Sequence, residues 1–153
     1  MRIVRPAIPS DLASLEALYV HLNAHRPPLP REAAERILDQ ILAHPGCHLL
    51  VALAGERLVA TCMVATVPNL MRGGRPHALL ENVVTHAEYR RQGHGRAVVM
   101  AGLAAAWKEG AHHVMLMTGR NDPGVGRFYE SCGFELGLKA GYVARSPVSP
   151  EAR

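Results

Sequence analysis

Aromatic residues are scarce in this chain: one Trp, two Phe and four Tyr amount to 5% of its 153 residues. Proteins that grip single-stranded nucleic acid stack bases on aromatic rings, and so few rings leave little for that purpose. The formal net charge is +4, but the arginines that dominate the basic set are scattered, so no nucleic-acid partner is expected. Cysteine is thin too. Cys47, Cys62 and Cys132 are odd in number, far apart and set in apolar segments, which argues against a disulfide framework or a zinc site. They read as buried free thiols. Neither Cys47-His48 nor His112-His113 has metal-ligand spacing, and no metal is expected. The longest apolar run, Ala97 to Trp107, is shorter than the ~20 residues a membrane span needs. Met1-Arg2-Ile3-Val4-Arg5 lacks the apolar core of a signal peptide, so a cytoplasmic protein with no membrane partner is expected. Repeats and low-complexity segments are absent.

What is present suits a globular domain: 48% hydrophobic and 20% charged residues. A single domain over 1–146 with a flexible tail, 147–153, is expected. Ile3 to Ala7 reads as a strand. Ser10 reads as an N-cap, followed by Leu12, Leu15, Leu18, Tyr19 and Leu22 at helical spacing. Pro27-Pro28-Leu29-Pro30 breaks that helix, and a second runs from Arg31 to Ala43. Strands follow at His48–Ala54 and Arg57–Val67 around Gly55-Glu56, then at His77–Thr85 after a turn containing Gly73-Gly74. A helix over Arg96–Glu109, a strand over His113–Thr118, a helix over Val125–Cys132 and a last hairpin from Gly133-Phe134 through Val143 complete the order. The one clear strand–helix–strand crossover makes Leu79–Thr85 and Val114–Thr118 parallel neighbours. The fold class is α/β of the α+β kind: a mixed, mostly antiparallel sheet with helices on both faces.

The sharpest signal is the passage from the buried strand Val83-Val84-Thr85 through Arg90-Arg91-Gln92-Gly93-His94-Gly95-Arg96 into a long helix. Glycines let consecutive backbone N–H groups converge, and a helix N-terminus adds positive potential, which together suit a diphosphate. Arg90, Arg91 and Arg96 supply full charges. A dinucleotide fold would want an acidic residue at the end of the next strand, about 20 residues on, and Met117-Thr118-Gly119-Arg120 has none. No Gly-Lys-Ser/Thr follows, which excludes a P-loop.

Arg90-Arg91-Gln92-Gly93-His94-Gly95 resembles the Arg/Gln-x-x-Gly-x-Gly/Ala signature of the GNAT acetyltransferase superfamily. Phe128-Tyr129-Glu130-Ser131-Cys132-Gly133-Phe134 resembles its second marker, and Glu81-Asn82-Val83-Val84 is most similar to small-amine members, including the hexosamine-phosphate group. The resemblance implies acetyl-CoA as co-substrate. It implies that Val83 and Val84, on a strand splayed from its parallel neighbour, bind pantetheine by backbone, that Gln92, Gly93, His94, Gly95 and Arg96 hold the diphosphate, and that Phe128 and Tyr129 flank the cofactor. Where relatives often carry an Asn contacting pantetheine, this chain has Asp122 with Asn121 beside it, so Asn121 is the candidate after a one-residue shift.

Direct transfer in a ternary complex needs a neutral amine, a polarised thioester and a stabilised thiolate. Tyr129 is the candidate general acid, since a phenol near pKa ~10 can protonate a thiolate of pKa ~8.5; a half-buried core aromatic is the plainer role. Glu81 is the candidate base, because a carboxylate among Leu79, Leu80, Val83 and Val84 is unexpected in a plain core and burial raises such a pKa; pairing with an arginine is the alternative. Alternation puts Asn82 opposite Glu81, and only one of them faces the acceptor unless the strand is bulged. His77 and His86 bracket the strand and read as turn or surface residues rather than bases. Relatives wall the acceptor site with the linker His21–Arg31 and the turn Pro68–His77, which makes Asn23, Asn69 and Arg72 substrate candidates, with His25, Arg26 and Arg75 nearby; Asn82 of the strand is a further candidate. A small-molecule amine is the expected acceptor, and the same surfaces suit a homodimer. A coenzyme A sensor without turnover is the alternative function, and a basic nucleic-acid module the third.

Overall fold

In the computed structural model, which describes residues 2–148, glycine-marked turns set up the sheet. Strands β2 (Cys47–Ala54) and β3 (Arg57–Val67) form a hairpin in which Ala54 pairs with Arg57 and Gly55 turns the chain at φ 61°. β1 (Arg2–Pro6) lies antiparallel to β2, and β4 (His77–Thr85) antiparallel to β3. β5 (Val114–Met115) closes the sheet in the order β1-β2-β3-β4-β5, parallel to β4. A mostly antiparallel sheet with one parallel pair is the architecture expected.

Strand alternation gives the sheet two apolar faces. On one, Leu49, Val51 and Val84 pack with Leu12, Leu15 and Leu18 of α1 (Leu12–Tyr19) and with Ala34 and Leu38 of α2 (Arg31–Ala43). Leu15 and Leu18 are each 2% exposed, and burying such a side chain contributes ~1.5–3 kcal/mol. On the other face lies α3 (His94–Lys108). A Cβ on its Gly102 would stand 2.9 Å from Val64 Cγ2, 3.3 Å from Cys62 Sγ and 3.4 Å from Leu80 Cδ1. The missing side chain sets how closely helix and sheet approach.

The described chain falls into two compact units, one running to Leu116 and one beginning at Met117. The first holds the whole sheet and α1 to α3. The second holds α4 (Pro123–Ser131), whose Asp122 carboxylate caps it by accepting from the Gly124 N–H at 2.7 Å. Its other end closes with Gly133 at φ 93°, Gly133 N–H bonding Glu130 O and Phe134 N–H bonding Tyr129 O. That is a Schellman cap, completed by the Tyr129–Phe134 ring contact at 5.9 Å.

Some expectations need correction. Ser10 does not cap α1. The job of ordering that turn falls to Asp11, whose carboxylate accepts from the Ile8 N–H at 2.9 Å and from both Arg5 nitrogens at 2.7 and 2.9 Å. α1 stops at Tyr19 rather than reaching Leu22, and α3 starts at His94 rather than Arg96, because Gly93 is itself the N-cap. β5 is two residues long instead of spanning His113–Thr118, since β4 diverges from it beyond Leu79. The final hairpin through Val143 does not form. Gly137 takes φ 82° within that stretch, and Leu136, Leu138, Tyr142 and Val143 are exposed rather than packed on a neighbouring strand. Of the tail expected over 147–153, residues 149–153 lie outside the described residues.

Candidate active site

The inner half of β4 is paired on one side only. Its register with β5 holds at Ala78↔Val114 and Leu79↔Met115 and then ends, whereas β3 accompanies β4 as far as Ala60↔Thr85. Peptide groups of residues 80–85 that point away from β3 therefore meet no strand among the described residues. Such groups demand a hydrogen-bonding partner, and an extended ligand lying along the edge would supply it. This is the splay expected of Val83 and Val84, of which Val83 is half-buried and Val84 buried.

Within that half, β4 is bulged. Thr61 faces Val84 and Met63 faces Glu81, so two residues, Asn82 and Val83, stand opposite Cys62 alone. Asn82 takes φ 52°, a conformation asparagine adopts more readily than most residues. Simple alternation consequently fails here. Glu81, opposite Met63, and Val84 share the face covered by α1 and α2, while Asn82 is exposed. Glu81 is half-buried and forms no ion pair among the described residues.

From β4 the chain makes a 3-10 turn at Ala87–Tyr89 and then the loop that leads into α3. Arg90 is extended, Arg91 at φ 58° and Gly93 at φ 83° are left-handed, and no side chain caps the start of α3. The first N–H groups of α3 therefore lack helical acceptors and form a concave set of donors suited to an anion. Arg90, Arg91, Gln92 and Arg96 are exposed around it, Gly95 is half-buried, and His94 is buried with its ring edge-on to Tyr89 at 6.0 Å. The loop is braced from behind: Arg90 Nε donates to Thr85 O at 3.3 Å and Gln92 Nε2 to Glu88 O at 2.8 Å.

In the second unit, Asn121 is exposed, and the cap on α4 occupies an Asp122 oxygen, not Asn121. Tyr129 is half-buried between Phe128, 5.0 Å away, and Phe134. The substrate candidates are dispersed. Asn23 Oδ1 accepts from the His25 N–H and Asn69 Oδ1 from the Met71 N–H, so both hold local turns. Arg26 lies over the Tyr19 ring at 5.5 Å. Arg72 is exposed at φ 54°. Arg75 is committed elsewhere, donating to Gly110 O and Ala111 O at the end of α3.

Residues 13–134 match the acetyltransferase (GNAT) family. The chain belongs to that family. As a GNAT protein it is an acetyl-CoA-dependent N-acetyltransferase. It is 30% identical over 130 residues to a glucosamine 6-phosphate N-acetyltransferase of Trypanosoma brucei brucei, covering 82% of this chain and 83% of that protein. Among solved structures it is similar to a putative acetyltransferase from Agrobacterium tumefaciens (42% identity, TM-score 0.89, 94% of this chain and 99% of that one). It is also similar to a transcriptional regulator from Bacillus halodurans (29% identity, TM-score 0.80, 93% and 100%). Among the described residues no helix is long and apolar enough to cross a membrane.

The GNAT scaffold also assembles a group of residues that the sequence did not connect. His21, just beyond α1, lies 4.2 Å ring to ring from His86, and Arg57 of β3 reaches His86 Nε2 at 3.0 Å. No local spacing links positions 21, 57 and 86, so only the fold reveals the group. Burial first, then the nearby charges of His86, Arg90 and Arg57, hold the His21 pKa below its ordinary value, against a smaller pull from Glu88. His86 itself caps the Ala87–Tyr89 turn, the turn role expected of it. His77 stacks on His113 at 6.0 Å, far along the sheet from that loop. Cys62 and Cys132 are buried and Cys47 half-buried, all three as free thiols.

Proposed function

We propose that this GNAT enzyme acetylates the primary amine of a small molecule by direct transfer, with glucosamine 6-phosphate the first acceptor to test. One observation carries the reading: the open edge of β4 runs straight into a glycine-capped helix N-terminus ringed by arginines. An extended pantetheine arm matches the first feature and a diphosphate the second. The 30% identity to an enzyme acting on glucosamine 6-phosphate supports the acceptor class.

In this reading Val83 and Val84 align the thioester through their peptide groups, while Arg90, Arg91, Gln92, Gly93, His94, Gly95 and Arg96 hold the diphosphate. Asn121 and Phe128 contact the arm. Glu81, on the α1–α2 face and unpaired by arginine, takes the amine proton directly or through water. The amine nitrogen bonds to the carbonyl carbon, the C–S bond breaks, and Tyr129 gives its phenolic proton to the departing thiolate. Asn23, Asn69, Arg72 and Asn82 are the acceptor-side candidates. The protein acts as a homodimer in the cytoplasm.

The likeness to a transcriptional regulator favours a second reading, a coenzyme A-responsive regulator without turnover. Thiol release from acetyl-CoA, screened over amino sugars, their phosphates and simple amines, separates the two. Tight coenzyme A binding with no release on any amine selects the regulator. No heat on titrating coenzyme A removes both.

A further inference from the structure

His86 joins the two features on which the proposed coenzyme A site depends, the end of β4 and the phosphate loop. Its backbone N–H donates to Val59 O at 2.8 Å, fixing it to β3, and its carbonyl accepts from the Tyr89 N–H at 2.9 Å. Its ring is 18% exposed and meets His21 at 4.2 Å and Tyr89 at 5.6 Å. Nδ1 lies 3.3 Å from the Glu88 N–H, as a side-chain cap on the turn, and Nε2 lies 3.0 Å from Arg57 Nη2. A neutral imidazole has one acceptor nitrogen, so its two tautomers serve these donors alternately. An imidazolium has none and serves neither.

The turn so held carries the loop. Arg90 and Gln92 are tied by side chain to Thr85 and Glu88, and Tyr89 packs against His94, the first residue of α3. The charged and titratable groups around the His86 ring are His21 beyond α1, Arg57 on β3, and Glu88, Tyr89 and Arg90 in the turn. Among the described residues Glu88 is the carboxylate paired with this ring, at 4.0 Å from Nδ1 and 73% exposed, so it offsets little of a new positive charge beside two arginines.

We propose that His86 is a positioning residue for the coenzyme A loop: the one acceptor nitrogen of the neutral ring either caps the turn or accepts from Arg57, and protonation removes that acceptor from both donors and weakens coenzyme A binding. This rests on the reading of residues 90–96 as the diphosphate site. The extra positive charge acts in the opposite direction, drawing the anion in, but across exposed surface it is screened by salt.

Calorimetric titration of coenzyme A into the wild type, His86→Asn and His86→Ala at pH 8 and pH 5.5 tests the idea. Asn keeps an oxygen near the Nδ1 position and is a good cap that does not titrate. At pH 8, H86N should bind within about twofold of the wild type and H86A about three- to tenfold more weakly, as expected for a lost cap. Between pH 8 and 5.5 the wild type should lose affinity several-fold relative to H86N. Titration of the ligand's own phosphates is common to all three proteins and cancels in the ratio. The proposal is overturned if H86N keeps the wild-type pH dependence, if the wild type gains affinity relative to H86N at pH 5.5, or if folded H86A binds as the wild type at pH 8. A wild type silent toward coenzyme A at both pH values instead overturns the diphosphate reading, and the role of His86 with it.

Discussion

A carboxylate that braces a sheet and one that removes a proton respond differently to the same substitution. Glu81 is half-buried, faces α1 and α2, and is unpaired among the described residues. Glu81→Gln keeps its shape and removes the basic oxygen. With saturating substrates kcat should fall about 10²–10⁴-fold while calorimetric affinity for coenzyme A is unchanged. A shift in melting temperature with kcat intact would instead make Glu81 a structural residue. Tyr129→Phe makes the matching test, since Phe preserves the ring contacts with Phe128 and Phe134 and deletes only the hydroxyl. A proton donor is lost from the turnover step but not from the melt. The thiols divide by burial. Desolvation pushes the Cys62 thiol up to about 12, so a neutral alkylating reagent at pH 8 should label half-buried Cys47 and leave Cys62 unmodified, as read by mass spectrometry.

Elements whose signals are local were legible in the sequence. α2 spans Arg31–Ala43, β3 Arg57–Val67 and β4 His77–Thr85, the bounds their periodicity and flanking turns specify. β5 and the stretch from Phe134 to Val143 were not, because an extended run becomes a strand only where a partner runs beside it. β4 leaves β5 after two residue pairs, and no strand forms over 134–143. The second family marker now has a physical account at this scale: its Gly133-Phe134 is the cap of α4. Gly133→Ala forces a side chain into φ 93° and should destabilise α4 by about 1–2 kcal/mol, visible as faster amide exchange over 123–134. Gly102→Ala is a contest of two effects. Ala favours helix by about 1 kcal/mol over Gly, but its Cβ would lie 2.9 Å from the Cγ2 of stiff, fully buried Val64. Overpacking of that kind costs about 1–3 kcal/mol, so the melting temperature should fall.

Across the whole molecule, the glycine-capped loop proposed to hold the diphosphate was readable because its residues are contiguous in sequence, and the β4 bulge was not, because it depends on how β3 lies beside Asn82. Acid stability involves two carboxylates, one bound by partners within six residues and one by a partner far along the chain. Asp11 is clamped by Arg5 and the Ile8 N–H near the β1 end of the sheet. The hydrogen bond from Arg5 outweighs burial and holds its pKa below the ordinary 3.8. Glu109 follows α3 and pairs with His48 of β2. Burial there raises its pKa, but the nearby Thr66 hydroxyl and the paired His48 imidazole outweigh it and hold it below 4.5. In both cases the folded-state pKa is the lower one, so the unfolded chain takes up protons first as pH falls. The stabilisation is therefore fully present above the ordinary carboxylate values and disappears as pH drops through the lowered ones. Asp11 is 11% exposed and Arg5 30%, and breaking such a charge-assisted pair costs about 1–3 kcal/mol. Urea midpoints should accordingly decline gently below about pH 7, where His21 of the unfolded chain protonates first, and fall steeply below about pH 4. Asp11→Asn should lower the midpoint at pH 7 and shrink the fall between pH 5 and 3, since the group that would be protonated is gone. An unchanged acid slope in D11N would show that the Arg5 clamp contributes nothing to stability and that the loss comes from elsewhere in the charge distribution.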